Sequence, residues 1–320
     1  MKAVYTVTMN PAVDKTVTVE HFALGQLNRI QTVRTDAGGK GINVAKVLKR
    51  FSIPVVAWGI TAGRGGSVIQ ERLQEAGIPS VLLQGEGETR TNLKVVDEYT
   101  KQTTELNEAG FRPGEALQDE FVRQFEAKLR EAELVVLGGS LPPGVSPDFY
   151  RKLIGMANRA GVRTILDADG EALAEGIEAA PYALKPNIHE LEALLGTALT
   201  TDDQIVGAAR GLIRKGISQV LVSMGGEGSI LVTEGEAYRA RPFPIVPLST
   251  VGAGDSMAAV LAYSLLNGMN PEQTARMTSA AGTITASKPG TEVATLEEVR
   301  QSLERVDITR ISTMNPLKEE

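Results

Sequence analysis

Two rhythms of apolar residues alternate along this chain of 320 residues. Short apolar runs predict buried strands at Ala3-Val4-Tyr5-Thr6-Val7, Val55-Val56-Ala57-Trp58 and Leu134-Val135-Val136-Leu137. Three more are predicted at Thr164-Ile165-Leu166, Tyr182-Ala183-Leu184 and Val220-Leu221-Val222. Between them the spacing turns helical. Ile42 to Arg50 and Ser67 to Ala76 read as helices, the second stopped by Gly77. Phe121, Phe125 and Leu129 form one helical face, and Phe149, Leu153, Ile154 and Ala157 form another, which Ser146-Pro147 would open. A last helix is predicted from Ala253 to about Asn267. Strand and helix in repeated alternation predict an α/β fold, a mostly parallel sheet covered on both faces. Two stretches break the rhythm. Val13 to Val33 and Arg90 to Glu105 are rich in strand formers with partial alternation, and Arg90 to Val96 reads as a strand with polar residues on one face. They predict a small extra sheet that covers a site or pairs with another subunit. No linker-like stretch or internal repeat divides the chain, so one domain is expected.

Composition narrows the chemistry. With 42% apolar residues the chain can bury a large core, and its net charge of −6 comes without a basic block. A nucleic-acid partner is not expected. No apolar run is long enough to cross a bilayer, and the N-terminus reads as a strand rather than a leader, so a cytoplasmic protein without a membrane partner is expected. Cysteine is absent, which excludes disulfides, thiol nucleophiles and Cys-zinc sites. Only His21 and His189 could serve a triad or metal site, and His189, in Asn187-Ile188-His189-Glu190, reads as a half-exposed helix residue.

The polar runs fall just after strands, where open α/β sheets bind ligands. Ser249-Thr250-Val251-Gly252-Ala253-Gly254-Asp255-Ser256 places a carboxylate and small residues at a helix start. The unpaired N–H groups and positive end of a helix attract anions, and Asp255 could take a proton from a hydroxyl that attacks a phosphoryl group held there. The same residues also make an ordinary turn with Asp255 as a cap. Gly38-Gly39-Lys40-Gly41-Ile42-Asn43 permits close backbone approach and offers Lys40 and Asn43 to sugar oxygens or phosphate. It is not GxxxxGK[ST], so a P-loop is rejected. Asp14 can accept two sugar hydroxyls or form an Asx turn. Gly138-Gly139-Ser140 ends a strand as an anion site or a tight turn. Asn187 and Glu190 suit a water-mediated magnesium contact and equally a capping box. Ser223 to Gly228 reads as a hairpin and lacks GxGxxG, which counts against a dinucleotide-dependent oxidoreductase.

In this order, GGKGINVA, KPNIHE and STVGAGDS resemble the signatures of the ribokinase-like sugar kinases of the PfkB family, and the resemblance covers nearly the whole chain. NPAVD, TRTNLKV at 89–95, GSLPPGVSP at 139–147 and STVGAGDSM are most similar to the bacterial 1-phosphofructokinase branch, with tagatose-6-phosphate kinases as the near alternative. The resemblance implies a three-layer α/β/α domain over 1–320 with a mostly parallel central sheet. It also implies a small β-sheet lid from segments of about 13–35 and 90–107, through which homodimers form. It implies ATP, Mg2+ and a ketohexose phosphate as ligands, with phosphate passing from ATP to fructose 1-phosphate. Asp255 would be the base, and Gly252, Ala253 and Gly254 the anion hole. Asp14, Gly38, Gly39, Lys40 and Asn43 would bind sugar. Arg90 with Ser140 is the preferred pair for the phosphate already on the sugar, since a guanidinium matches phosphate, and Arg29 is a further candidate that could reach a neighbouring subunit. Lys185, Asn187, Ser223, Gly225, Gly228 and Gly254 would face the nucleotide, and Asn187 and Glu190 the metal through water. A non-catalytic sugar-phosphate sensor is the alternative of another class, disfavoured because a sensor needs no base. The stretch after Val306, ending Pro316 to Glu320, carries no motif and is expected to lack order.

Overall fold

The computed structural model describes residues 2–312. The elements are β1 (Ala3–Thr8), β2 (Ala12–Val19), β3 (Thr32–Gly38), α1 (Lys40–Arg50), β4 (Val55–Ala62), α2 (Gly63–Glu75), β5 (Ser80–Gly85), β6 (Thr91–Asp97), β7 (Thr103–Asn107) and α3 (Glu115–Lys128). They continue with β8 (Ala132–Gly138), α4 (Phe149–Arg159), β9 (Arg163–Asp167), α5 (Gly170–Ile177), β10 (Ala183–Leu184), α6 (Ile188–Leu195), α7 (Asp202–Ile213) and β11 (Gln219–Ser223). The chain closes with β12 (Ser229–Thr233), β13 (Ala237–Arg241), α8 (Ala253–Leu266), α9 (Pro271–Ala286), α10 (Leu296–Gln301) and β14 (Asp307–Arg310).

Ten strands form the central sheet in the order β14-β13-β12-β11-β10-β9-β8-β1-β4-β5. From β5 to β11 neighbours run parallel, and β12, β13 and β14 add an antiparallel edge. The apolar runs sit where both faces need covering. In β1, Val4 packs into the layer with α1, α8 and α9, while Tyr5 and Val7 pack into the opposite layer with α3, α4 and α7. That second layer centres on Trp58, whose ring meets Phe121 and Phe125 edge-on at 6.2 and 5.8 Å; such pairs contribute about 0.5–1.5 kcal/mol each beyond their burial. α8 is buried without interruption from Asp255 to Ser264, because α1 and α9 flank it and the sheet lies beneath. A helix apolar all round is what such a position demands, and it places the polar Asp255 at the buried end of a core element.

Four strands form the lid in the order β3-β2-β6-β7. Period two divides it cleanly. Asp14 faces Asn92, and Lys94 faces Glu105, all on the side toward the cleft. Val17 opposite Val33 and Leu93 opposite Leu106 share the other side, where Lys15, Thr35 and Thr104 interrupt an apolar surface.

Three expectations are corrected. Ser146-Pro147 does not open α4, which begins at Phe149 after Asp148; the Pro lies in the preceding turn. The stretch after Val306 is partly ordered, since β14 pairs with β13 and gains a full ladder there; Pro316 to Glu320 lie outside the described residues. His189 is 87% exposed rather than half-exposed, beside Glu192.

Candidate active site

α8 starts from Gly252, whose φ of +78° is a conformation that side-chain-bearing residues rarely adopt. The Ala253 amide turns back to the Thr250 carbonyl at 3.3 Å, while among the described residues those of Gly252, Gly254 and Asp255 have no acceptor. Three open donors at the positive end of a buried helix can receive an anion. Of the expected trio, Gly252 and Gly254 keep open amides and that of Ala253 is engaged, while the Asp255 amide is open beside them.

Asp255 Oδ2 accepts a 2.8 Å hydrogen bond from Asn43 Nδ2. Its Oδ1 has no partner among the described residues, and the carboxyl lines a cleft of about 390 Å3. Burial pushes the Asp255 pKa up to about 6, helped by the nearby Asp167 and opposed by the Asn43 bond and by Lys40 and Lys185. A carboxylate raised toward neutrality, with one oxygen open to a cleft, is suited to accept a proton.

The cleft runs from Asp255 and Asn43 beneath the lid to Arg90 and Ser140. Asp14 lies on β2 rather than in the alternative Asx turn; β2 begins at Ala12, so the chain is already extended at that point. Its oxygens accept from Asn92 Nδ2 at 3.1 Å and from Lys94 Nζ at 3.2 Å. Gly38 is required beside it, because a Cβ there would collide with the Asp14 carboxylate. Gly39, with φ of +116°, precedes α1 and would collide with Thr8 if it carried a Cβ. Lys94 is spent on Asp14, so Arg90 is the cation left for an incoming anion at this end. Its guanidinium donates to the Asn10 carbonyl at 3.2 and 2.9 Å and to the Glu108 carbonyl at 3.2 Å. Three of five N–H groups are used, leaving two. Ser140 stands next to it through Asn10, whose Nδ2 donates to Ser140 Oγ at 3.3 Å.

On the other side of Asp255, one buried carboxylate organises two lysines. Asp167, at the end of β9 with its side chain 1% exposed, lies 2.8 Å from Lys40 Nζ and 3.0 Å from Lys185 Nζ. Burial opposes the charge on both partners. The two lysines nevertheless hold Asp167 well below the ordinary carboxylate pKa, and Asp167 with Glu190 raises that of Lys40. Removing one member of such a group strands the others, at a cost of about 3–5 kcal/mol. Lys185 Nζ also packs against Gly254, so cationic charge stands beside the open amides. Asn187 and Glu190 form a complete capping box on α6, which contributes on the order of 1 kcal/mol. Glu190 Oε1 turns to Lys40 at 3.6 Å. The capping-box reading is realised, the cap engaging Oε2 and leaving Oε1 beside Lys40.

Ser223 closes β11, and its amide donates to the Pro186 carbonyl, so the 185–187 and 223–228 segments are adjacent. Gly225 and Gly228, with φ of +55° and +90°, form the bend of the β11–β12 hairpin. A hairpin here removes the dinucleotide fingerprint, which needs a strand followed by a helix. Arg29 is the outlier. It sits in an exposed loop of the lid and does not line the cleft.

Sequence reasoning missed Asp167, Asn92 and Glu105. Asp167 follows the apolar run Thr164-Ile165-Leu166, so the strand-end rule that picked out Ser140 applies to it equally. Asn92 lies between Arg90 and Lys94 at the period of a strand. Glu105 had no local signal; only its pairing with Lys94 brings it to the cleft.

Residues 7–298 match the pfkB family of carbohydrate kinases. The chain is 40% identical over 280 residues to the 1-phosphofructokinase of Xanthomonas campestris pv. campestris, covering 86% of this chain and 88% of that one. It is 36% identical over 308 residues to the 1-phosphofructokinase of Bacillus subtilis, covering 96% and 100%. The structure of Escherichia coli phosphofructokinase-2 in complex with fructose-6-phosphate superposes with a TM-score of 0.87 at 28% identity, over 95% of this chain and 99% of that one. The three-layer fold, the lid and these relatives together make the chain a phosphotransferase that uses ATP to phosphorylate a sugar, and it belongs to the pfkB family of carbohydrate kinases.

Proposed function

We propose that this kinase converts fructose 1-phosphate to fructose 1,6-bisphosphate, with Asp255 as the base. The observation that carries the reading is the single cleft with a proton acceptor at one end and a partly unused guanidinium at the other. A ketohexose phosphate has its phosphate and its free primary hydroxyl at opposite ends and fits that polarity. Arg90 and Ser140 hold the sugar phosphate, and Asp14, Gly38, Gly39, Lys40 and Asn43 surround the ring. The 6-hydroxyl gives its proton to Asp255 Oδ1 as its oxygen bonds to the γ-phosphorus; the bond from that phosphorus to the β–γ bridging oxygen breaks, and ADP leaves. The Gly252, Gly254 and Asp255 amides and the Lys40 and Lys185 ammonium groups meet the charge spread over the transferring oxygens. Lys185, Asn187, Ser223, Gly225 and Gly228 line the nucleotide side.

Mg2+ fits this site as an ion carried on the ATP phosphates and touched through water. Asn187 Oδ1 and Glu190 Oε2 are engaged in the cap, and Glu190 Oε1 is the oxygen of that pair turned toward Lys40. When bound it neutralises phosphate charge. No group of three or more carboxylates or histidines able to hold a metal occurs among the described residues, in keeping with a water-mediated ion. We place the reaction in the cytoplasm, where ATP and sugar phosphates meet; no helix among the described residues is long and apolar enough to cross a membrane.

Side-by-side kcat/KM with magnesium-ATP for fructose 1-phosphate, fructose 6-phosphate and tagatose 6-phosphate tests the substrate. A preference for fructose 1-phosphate of about 100-fold, roughly 2.7 kcal/mol, is expected. Comparable values, or a preference for either 6-phosphate, would refute the substrate while leaving the Asp255 chemistry intact.

We also propose a homodimer through the lid. The lid face away from the cleft exposes Val33 and Leu106 by 55% and 57%, and the adjoining loop adds Leu24 and Leu27 at 92% and 80%. A second copy would cover this surface. Sedimentation should give a two-chain mass for the unaltered protein, and Leu106→Glu should weaken the dimer by about 100-fold or more by burying a charge without a partner. A single-chain mass at micromolar concentration would rule the dimer out.

A further inference from the structure

Asn43 connects Asp255 to a lysine that none of the chemistry above uses. Lys46, one turn further along α1, donates to Asn43 Oδ1 at 3.4 Å and to the carbonyl of Ala37 at the end of β3. It also lines a groove of about 770 Å3 beside β3, further along α1 from the substrate cleft. The contacts thus run from groove to base: Lys46 to Asn43, Asn43 to Asp255.

We infer that Lys46 is a positioning residue that keeps Asp255 ionised by locking the side-chain amide of Asn43. An ammonium is a donor only, so it can bind Asn43 through Oδ1 alone, and Nδ2 must then point to Asp255. That orientation suits the carboxylate. The protonated acid, with its proton on the open Oδ1, keeps only the weaker bond of a neutral acceptor at Oδ2, and its own O–H would reach Asn43 only if the amide turned over and offered its oxygen. Turning over would leave the ammonium facing an NH2 group. Lys46 therefore penalises the protonated state of the base and favours the state that accepts the substrate proton, in addition to the direct attraction between its charge and the carboxylate. The inference rests on the reading of Asp255 as the base.

Burial lowers the Lys46 pKa, and Asp36, Asp14 and Asp255 oppose that loss, with Arg34 adding to it. Asp36 and Arg34 come from β3, Asp14 from β2 and Asp255 from α8. Arg72 and Glu75 of α2 also line the groove but pair with each other at 2.7 Å, and Glu292 lies near Arg34. Lys49 and Arg50 of α1 stand at the groove rim.

The test is the pH dependence of kcat/KM for the sugar phosphate in Lys46→Met and Lys46→Arg. In Lys46→Met the acidic limb should move up by about half a pH unit or more, so that kcat/KM on that limb, below the parent's pKa of about 6, falls about threefold or more while its value well above that pKa and KM for ATP change little. Lys46→Arg, which keeps a charged donor, should restore both. A limb set by the substrate's own phosphate would not move between variants. A fixed limb in Lys46→Met, even with lowered stability or activity, would reduce Lys46 to a structural tie between α1 and β3 and overturn the inference. Should Lys46→Met not fold, Lys46→Gln serves in its place: it removes the charge, so the same upward shift is expected, and a fixed limb is equally fatal. Asp255→Asn run alongside separates the two readings. If that variant retains turnover, the base assignment itself falls; if it is inactive while the Lys46 limb stays fixed, only the lock fails.

Discussion

Asp255→Asn should lower kcat by about 10²–10⁴-fold, the usual worth of a positioned general base. The amide has the size of the carboxyl and can still accept from Asn43 Nδ2, so the cleft keeps its shape. It cannot take a proton at Oδ1. Folding should not suffer. The folded-state pKa of about 6 lies above the ordinary 3.8, so the native chain binds more protons than the unfolded chain between those values. Stability contributed by this group is therefore full below pH 3.8 and lost as pH rises through about 6. At neutral pH the ionised carboxyl costs the fold on the order of 3 kcal/mol, and the neutral Asn escapes that cost. A variant that melts at or above the parent temperature yet hardly turns over would separate chemistry from folding. The parent enzyme should lose kcat/KM as pH falls below about 6, since the base must be ionised to act. Near-normal turnover in Asp255→Asn would end the mechanism.

Removing the guanidinium at the other end of the cleft should act on binding instead. Arg90→Ala is expected to raise KM for the sugar phosphate about 100-fold, the equivalent of roughly 2.7 kcal/mol and within the range of two charge-assisted hydrogen bonds, while KM for ATP changes little. Arg90 also ties Asn10 to Glu108, so the alanine could loosen the lid edge as well. Arg90→Lys distinguishes the two effects. It keeps a charge for the phosphate and loses the fork that grips both carbonyls, so a recovery limited to the sugar phosphate would assign Arg90 to that anion. Equal increases in both KM values would mean that Arg90 serves the lid and not the phosphate.

These two residues also mark what could be read along the chain. Asp255 was legible because its signal is local: three small residues, a carboxylate and the start of an apolar helix are consecutive, and helix-end electrostatics follow from that order. Arg90 was legible as part of a strand with one polar face. The fold class followed from the alternation of buried strands and helical stripes, and most predicted elements were recovered with ends extended by a few residues. The failures were at boundaries or across the chain. Ser146-Pro147 carried a helix-start signature, yet the turn before α4 claimed it. The strand formers around Asp14 were legible, but nothing near it announces that β2 pairs with β6 and brings Asn92, some 78 residues away, to its carboxylate.

The sequence by itself determined the architecture and pointed to the strand ends and to the carboxylate proposed as the base, because each depends on periodicity or on neighbours in the chain. Only the tertiary structure decided which cations remain available. Lys94 is neutralised by Asp14, and Lys40 and Lys185 share Asp167, partners separated by 80, 127 and 18 positions. Charge pairing acts through space, over a few ångströms and within a low dielectric, and no local pattern records it. The same holds for the Asp255 pKa: its elevation comes from burial under α1 and the lid and from Asp167 nearby, conditions that exist only once the sheet, its helices and the lid have come together.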